Sequence, residues 1–279
     1  MPVDFIGVGG QRCATTWLYN ILNEHPEIKM STEKELHFFS YYYHFGYEWY
    51  DQHFDSSLKI RSGEFSTSYL YDNQSPLRVH KYNKNIKILV SIRNPISRLF
   101  SHHKHEILGR RVLRTNVNPK LLIDQNPSYL EYGLYFKYLS YWLKVFPSKQ
   151  IHIVLFDEIK KNPKKVVSKL YEFLGVDESF TPLGLNNKIN KSWTPKNDFI
   201  HKNQKRIAAL SRTYGLGLLI DGLKIMGIKG AIDKANKNEN HDKLEMDKEF
   251  LEYANAYFNK DIEKMSNLLG LDLNKIWVK

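Results

Sequence analysis

The 279 residues of the chain, 42% hydrophobic and 14% aromatic, can bury a large core and do not fit a mainly disordered polymer. Lysine and arginine (41) outnumber acidic residues (30), and the net charge of +11 favours anionic ligands: a nucleotide, an acidic or sulfated glycan, nucleic acid or a lipid surface. The single cysteine, Cys13, excludes an internal disulfide and a cysteine-cluster metal site. No stretch reaches the ~18 uninterrupted apolar residues of a membrane span. The first strand begins too close to Met1 to leave room for a signal peptide, so a cytoplasmic protein with one domain over residues 1–279 is expected.

In chain order, Phe5-Ile6-Gly7-Val8 is an apolar run ending at Gly9-Gly10, and Trp17, Leu18, Ile21 and Leu22 follow at helical spacing. This predicts strand, tight loop and helix. Backbone N–H groups at the helix start, the helix dipole and the Arg12 guanidinium suit an oxyanion. Thr15 and Thr16 are expected to cap the helix and donate to the same anion. Cys13 reads either as a nucleophile or as a small loop residue. The triphosphatase pattern GxxxxGK[ST] is absent, because no Lys precedes Thr15. Pro26 ends the helix, and residues 28–30 read as a second strand. Aromatic residues crowd positions 41–50, as in a packed wall or a binding platform. Just ahead of them, an extended backbone would point Glu35 and His37 the same way. Residues 63–70 read as a short strand and turn, with Ser66 and Ser68 suited to turn and cap bonds.

Residues 86–92 have the apolar density of a buried parallel strand, stopped by Asn94-Pro95, which opens a helix. Arg93 therefore stands at the carboxyl end of a strand, where open α/β sheets collect ligands, and Ser101 lies two turns on. His102, His103 and His105 point in different directions on a helix, so no metal site is expected. Residues 109–127 read as a basic, polar loop over an acceptor entrance, 129–146 as helix and 150–156 as strand. Asn162-Pro163 opens a further helix that Gly175 closes. Lys191 and Lys196 lie in a basic loop at 186–196. Residues 207–232, apolar but broken by glycines, read as a buried helical hairpin, or as a flexible lid or membrane-surface element, followed by a polar linker to 243. The closing segment to Trp277 is helical. Alternating strands and helices predict an α/β fold with an open parallel sheet flanked by helices.

Taken together, these segments resemble the sulfotransferases that use 3′-phosphoadenosine 5′-phosphosulfate (PAPS). Gln11-Arg12-Cys13-Ala14-Thr15-Thr16-Trp17 is similar to their 5′-phosphosulfate loop, although most relatives carry Lys at Arg12 and Gly at Ala14. Arg93-Asn94-Pro95 with Ser101 resembles their 3′-phosphate motif. Lys34-Glu35 and Phe38-Phe39 resemble the KE..FF segment of heparan sulfate sulfotransferases and their bacterial relatives, in which the Glu is the proposed base. Residues 63–70 resemble a third family segment, with Phe65 where several glycan sulfotransferases carry Lys.

The resemblance implies a P-loop-like three-layer sandwich. In it Arg12 and the backbone of Cys13, Ala14, Thr15, Thr16 and Trp17 hold the phosphosulfate, Arg93 and Ser101 hold the 3′-phosphate, and Lys191 and Lys196 cover the nucleotide. Glu35 takes the acceptor proton and His37 orients the acceptor. The roles can also be exchanged, since His titrates near ~6.5 and Glu near ~4.3 before burial acts on either. No metal is required. A glycan hydroxyl is the expected acceptor, with a lipid, polyketide or small aromatic hydroxyl as alternatives. A P-loop kinase-like phosphotransferase is the alternative class, although it would need a loop Lys and a magnesium carboxylate. The basic residues are dispersed, so no nucleic-acid partner is expected. The sequence carries no signal of oligomeric state.

Overall fold

The strand β1 (Phe5–Gly9) is buried along its whole length, as suits a central parallel strand with helices on both faces. The computed structural model describes residues 3–55, 60–106, 126–187, 194–195, 237–238 and 248–277. In it β1 pairs with β3 (Arg61–Phe65) on one side and β4 (Lys87–Ile92) on the other. Outside these lie β2 (Ile28–Met30) and β5 (Ile151–Leu155), completing an all-parallel sheet of order β2-β3-β1-β4-β5. The chain goes from β1 to β2 and β3 on one side, then crosses to β4 on the other. The crevice beyond the carboxyl ends of β1 and β4 is therefore the place where such a sheet binds ligands.

Alternation along the strands sorts side chains into two cores. Phe5 and Leu89 join Trp17, Leu18 and Ile21 of α1 (Thr15–Asn23). Ile6, Val8, Ile88, Val90 and Ile92 point the other way, into a core that contains Phe38, Phe39 and Tyr50 of α2 (Gly46–Asp51). That second core also takes Val79 of α3 (Ser75–Tyr82). The expected helix–sheet–helix sandwich is the result.

Asn94 ends β4, and its Oδ1 accepts from the Ser97 N–H at 2.9 Å to cap α4 (Pro95–Lys104). The region expected as one helix at 129–146 is broken into α5 (Ser128–Glu131) and α6 (Tyr135–Leu143). The break falls at Gly133, where a Cβ would lie 2.6 Å from the Phe258 ring. A short helix not read from the sequence, α7 (Phe156–Lys161), follows β5 directly. Asn162 then caps α8 (Pro163–Leu174), and Gly175 ends it at φ 76°, as expected. The closing segment forms α9 (Lys248–Leu269) and α10 (Leu273–Trp277). Asp261 of α9 accepts from the N–H groups of Phe136 and Lys137, satisfying the start of α6.

The chain divides into two units, one made of Met1–His102, Asn118–Asn190 and Asp247–Lys279, the other of His103–Val117 and Lys191–Met246. All the elements above except the end of α4 belong to the first. In the second, β6 (Thr194–Pro195) and β7 (Lys237–Asn238) form an antiparallel pair. Lys191, Lys196, the 207–232 hairpin and most of the 109–127 loop lie outside the described residues. Among the described residues no helix is long and apolar enough to cross a membrane.

Candidate active site

The loop between β1 and α1 puts Arg12 and Ala14 at φ 66° and 67°, left-handed conformations that disfavour side-chain-bearing residues by about 1 kcal/mol each. Bonds from the neighbouring strand ends hold them there. The Gly10 N–H donates to Ser91 O at 2.7 Å, the Gln11 N–H to the Tyr71 hydroxyl at 3.0 Å, and the Ser91 hydroxyl to Cys13 O. The N-cap of α1 is Ala14, which has no side chain to cap with, so Thr15 and Thr16 are the first helical residues and not the caps expected from the sequence. As a result the N–H groups of Ala14, Thr15, Thr16 and Trp17 donate to nothing among the described residues. Four orphan donors at the positive end of a helix dipole suit an oxyanion.

Cys13 lies beneath this cradle, fully buried, with its Sγ 3.5 Å from the Tyr135 hydroxyl. Burial pushes its pKa up, against a smaller downward pull from Arg98, Arg93 and Arg12. The thiol stays protonated and is a loop-packing group.

Those three guanidiniums mark the electropositive side. The Arg12 Nε donates to Ser101 Oγ at 3.3 Å, so the two anion motifs, read separately along the chain, meet in space. The Arg93 guanidinium lies 4.4 Å from the centre of the Phe156 ring, and burial lowers its pKa from the ordinary arginine value. The C-terminal helix braces this strand end. Asn94 Nδ2 donates to Trp277 O at 2.8 Å, and Trp277 Nε1 donates to Asp157 Oδ2 at 3.0 Å.

Arg98 was missed in the sequence, where its only signal was an arginine on the buried face of α4. It is fully buried, donates to Tyr129 O and to His102 Nδ1, and pairs with no carboxylate among the described residues. A buried cation beside an anion cradle is most stable when an anion is bound. His102 is the acceptor for Arg98 and stacks on Tyr129 at 4.5 Å, which is a packing role. Trp17 of α1 also lines a cavity of about 250 Å³, with Ile159, Lys160, Pro163, Leu185 and Asn187.

The second half of the site lies beyond the end of β3. Glu35 and His37 are not extended, as the alternation argument assumed. Both are left-handed, at φ 66° and 54°, with Leu36 buried between them. The two side chains still converge, with His37 Nε2 3.7 Å from Glu35 Oε2. Residues 66–68 hold them. Thr67 donates to Glu35 Oε2 from its N–H at 2.8 Å and its hydroxyl at 3.1 Å, and Lys34 pairs with Oε1. The Ser68 hydroxyl meets His37 Nδ1 at 2.7 Å. Burial lowers the His37 pKa, partly opposed by Glu35. The serines read from the sequence as turn and cap residues are thus the supports of this pair, and Thr67, which was not singled out, anchors the carboxylate.

The aromatic run is divided. Phe38, Phe39 and Tyr50 are core, while Tyr41, Tyr42 and Phe45 are exposed, and the Tyr41 ring lies 5.4 Å from that of His37. Phe65 is also core. It packs over Gly7 and does not point toward the Glu35 side.

The sequence pattern of the sulfotransferase domain matches residues 2–203, and the chain belongs to that family. Mouse heparan sulfate glucosamine 3-O-sulfotransferase 3B1 is 28% identical over 181 residues, an alignment that covers 62% of this chain and 46% of the relative. The membrane-associated sulfotransferase kil1 of Dictyostelium discoideum is 23% identical over 267 residues, covering 62% of this chain and 56% of the relative. The chain therefore spans about half the length of the curated relatives it matches. The crystal structure of a sulfotransferase from Alicyclobacillus acidocaldarius superposes over 100% of both chains, with a TM-score of 0.71 at 21% identity, and shares the fold.

Proposed function

We infer that this sulfotransferase moves a sulfuryl group from PAPS to an acceptor hydroxyl, a carbohydrate one in the first instance. The observation that carries the reading is the meeting of Arg12 with Ser101 beside four N–H groups without a partner, and a buried Arg98 without a carboxylate, among the described residues. That arrangement suits a nucleotide with phosphates at two positions. Arg12 and the N–H groups of 14–17 would hold the 5′-phosphosulfate, Arg93 and Ser101 the 3′-phosphate, and the cavity beside Trp17 a planar base.

Sulfuryl transfer, like phosphoryl transfer, needs positioning and charge stabilisation more than covalent help from the protein. The acceptor oxygen would form its bond to sulfur as the bond from sulfur to the phosphate oxygen breaks in line. Glu35 would receive the hydroxyl proton, and Arg12 would stabilise the charge on the departing phosphate. Arginines and the helix dipole supply that stabilisation, so the mechanism calls for no metal. The glycan acceptor is supported by the heparan sulfate relatives and by rings exposed beside His37. The kinase-like alternative gives way to the family membership. One domain over 1–279 and a cytoplasmic location belong to the same proposal.

The test is transfer of radiolabel from PAPS to a panel of glycans, lipids and aromatic alcohols. Glu35→Gln should lose about 10²-fold or more in kcat, with nucleotide binding intact, and His37→Ala should retain measurable turnover. A Glu35→Gln variant near wild-type rate beside an inactive His37→Ala variant would make the histidine the base.

A further inference from the structure

Glu64, on β3, has none of its surface exposed and pairs with no lysine, arginine or histidine among the described residues. Three hydroxyls gather its carboxylate instead. Tyr69 and Tyr50 donate to Oε1 at 2.6 and 3.0 Å, and Ser66 donates to Oε2 at 2.6 Å. An apolar residue of similar volume would fill this place at less cost, because a buried carboxylate without a cation is expensive.

What an apolar residue could not do is orient Ser66. The Ser66 hydroxyl gives its one proton to Glu64, and its oxygen accepts the His37 backbone N–H at 2.9 Å. That N–H belongs to one of the two left-handed residues of the 35–37 turn, a conformation that persists only when its surroundings enforce it. The other supports come from the same stretch. Phe65 O accepts the Glu35 N–H at 2.8 Å, and Thr67 and Ser68 hold the two side chains.

We propose that Glu64 is a positioning residue for sulfuryl transfer: by taking the Ser66 hydroxyl proton it fixes Ser66 on the His37 N–H and so holds the turn that presents the Glu35 carboxylate. The proposal rests on Glu35 being the base. It also couples the site to pH. Burial pushes the Glu64 pKa from 4.5 up to about 7 against the pull of its three hydroxyl donors, and Glu35 adds to the rise. The titratable groups facing it are Glu35, Tyr50 of α2, Tyr69 of the turn after β3, Tyr19 of α1 and Tyr82 of α3. Protonation puts a fourth proton on two oxygens that already take three hydroxyl hydrogen bonds, and so weakens the acceptor that fixes Ser66, whose hydroxyl donates to no other group among the described residues.

The experiment uses the full chain, labelled with carboxyl-13C glutamate and 15N histidine, titrated by NMR without nucleotide between pH 5.5 and 8.5. In the wild type the Glu64 carboxyl and the His37 amide should share a step near pH 7. In Ser66→Ala the carboxyl step should remain while the amide step disappears. In Glu64→Gln the amide step should also disappear, and in Ser66→Thr, which keeps the hydroxyl, it should remain. Both Ser66→Ala and Glu64→Gln should keep their affinity for 3′-phosphoadenosine 5′-phosphate within about twofold while kcat falls about tenfold. An amide step that persists in Ser66→Ala, or is absent from the wild type, overturns the proposal. A wild-type protein that fails to bind the nucleotide, or a Glu35→Gln variant that keeps its kcat, would instead overturn the functional reading, and the NMR linkage is scored independently of both.

Discussion

At the scale of single residues, two titratable groups, Glu64 fully buried and His152 half-buried, act on stability in opposite directions over nearly the same pH range. Glu64, raised to about 7, takes up a proton in the folded state that the unfolded chain refuses until about pH 4.5. Acidification through that window therefore stabilises the fold, by about 3 kcal/mol in full. His152, on β5 against Phe173, is lowered by burial, with a smaller push from Lys169, to about 4. The unfolded chain protonates that histidine near pH 6.5 and the folded protein does not, so acidification through this range destabilises the fold. Removing the first group should expose the second. Thermal unfolding of Glu64→Gln between pH 7 and pH 5 should show a steeper fall in Tm than the wild type, and equal slopes would contradict the raised pKa of Glu64.

At the scale of elements, the site depends on how closely β3 packs against β1. A Cβ on Gly7 would fall 1.9 Å from the Phe65 ring. Gly7→Ala should cost about 2 kcal/mol or more and lower Tm by about 5 °C, and adding Phe65→Val should recover part of the loss, as measured by calorimetric melting. No rescue would place the strain elsewhere.

Elements were also where the sequence could be read best. The strands at Phe5, Ile28 and Lys87, the Asn94 and Asn162 caps and the Gly175 stop were legible because apolar runs, Asn-Pro pairs and glycines act locally. The cap of α1 was not legible, because the loop that holds Ala14 left-handed is fixed by bonds to Ser91 and Tyr71, from other parts of the chain. The same is true of Glu35 and His37. Period-two alternation correctly put them on one side, but for the wrong reason, since a turn held by residues 64–68 replaces the extended backbone. Arg98 and Glu64 were illegible as site residues because a charged side chain in a sequence does not announce that it will be fully buried.

At the scale of the whole molecule, the strand order β2-β3-β1-β4-β5 brings three separate segments to one edge of the sheet. They are the loop after β1, the Arg93 end of β4 and the turn after β3. Each alone is an ordinary strand–helix connection. Together they supply the Arg12–Ser101 contact, the Arg93 and Arg98 charges near Cys13, four amide donors with no partner among the described residues and the supported Glu35 carboxylate. The central claim is that this edge recognises a nucleotide bearing phosphates at both ends of its ribose. The most direct test is titration calorimetry of the full chain with 3′-phosphoadenosine 5′-phosphate and with AMP, repeated for Arg93→Ala. The bisphosphate should bind at least about tenfold more tightly than AMP, and Arg93→Ala should erase most of that difference. Equal affinity for the two nucleotides in the wild type would contradict the account.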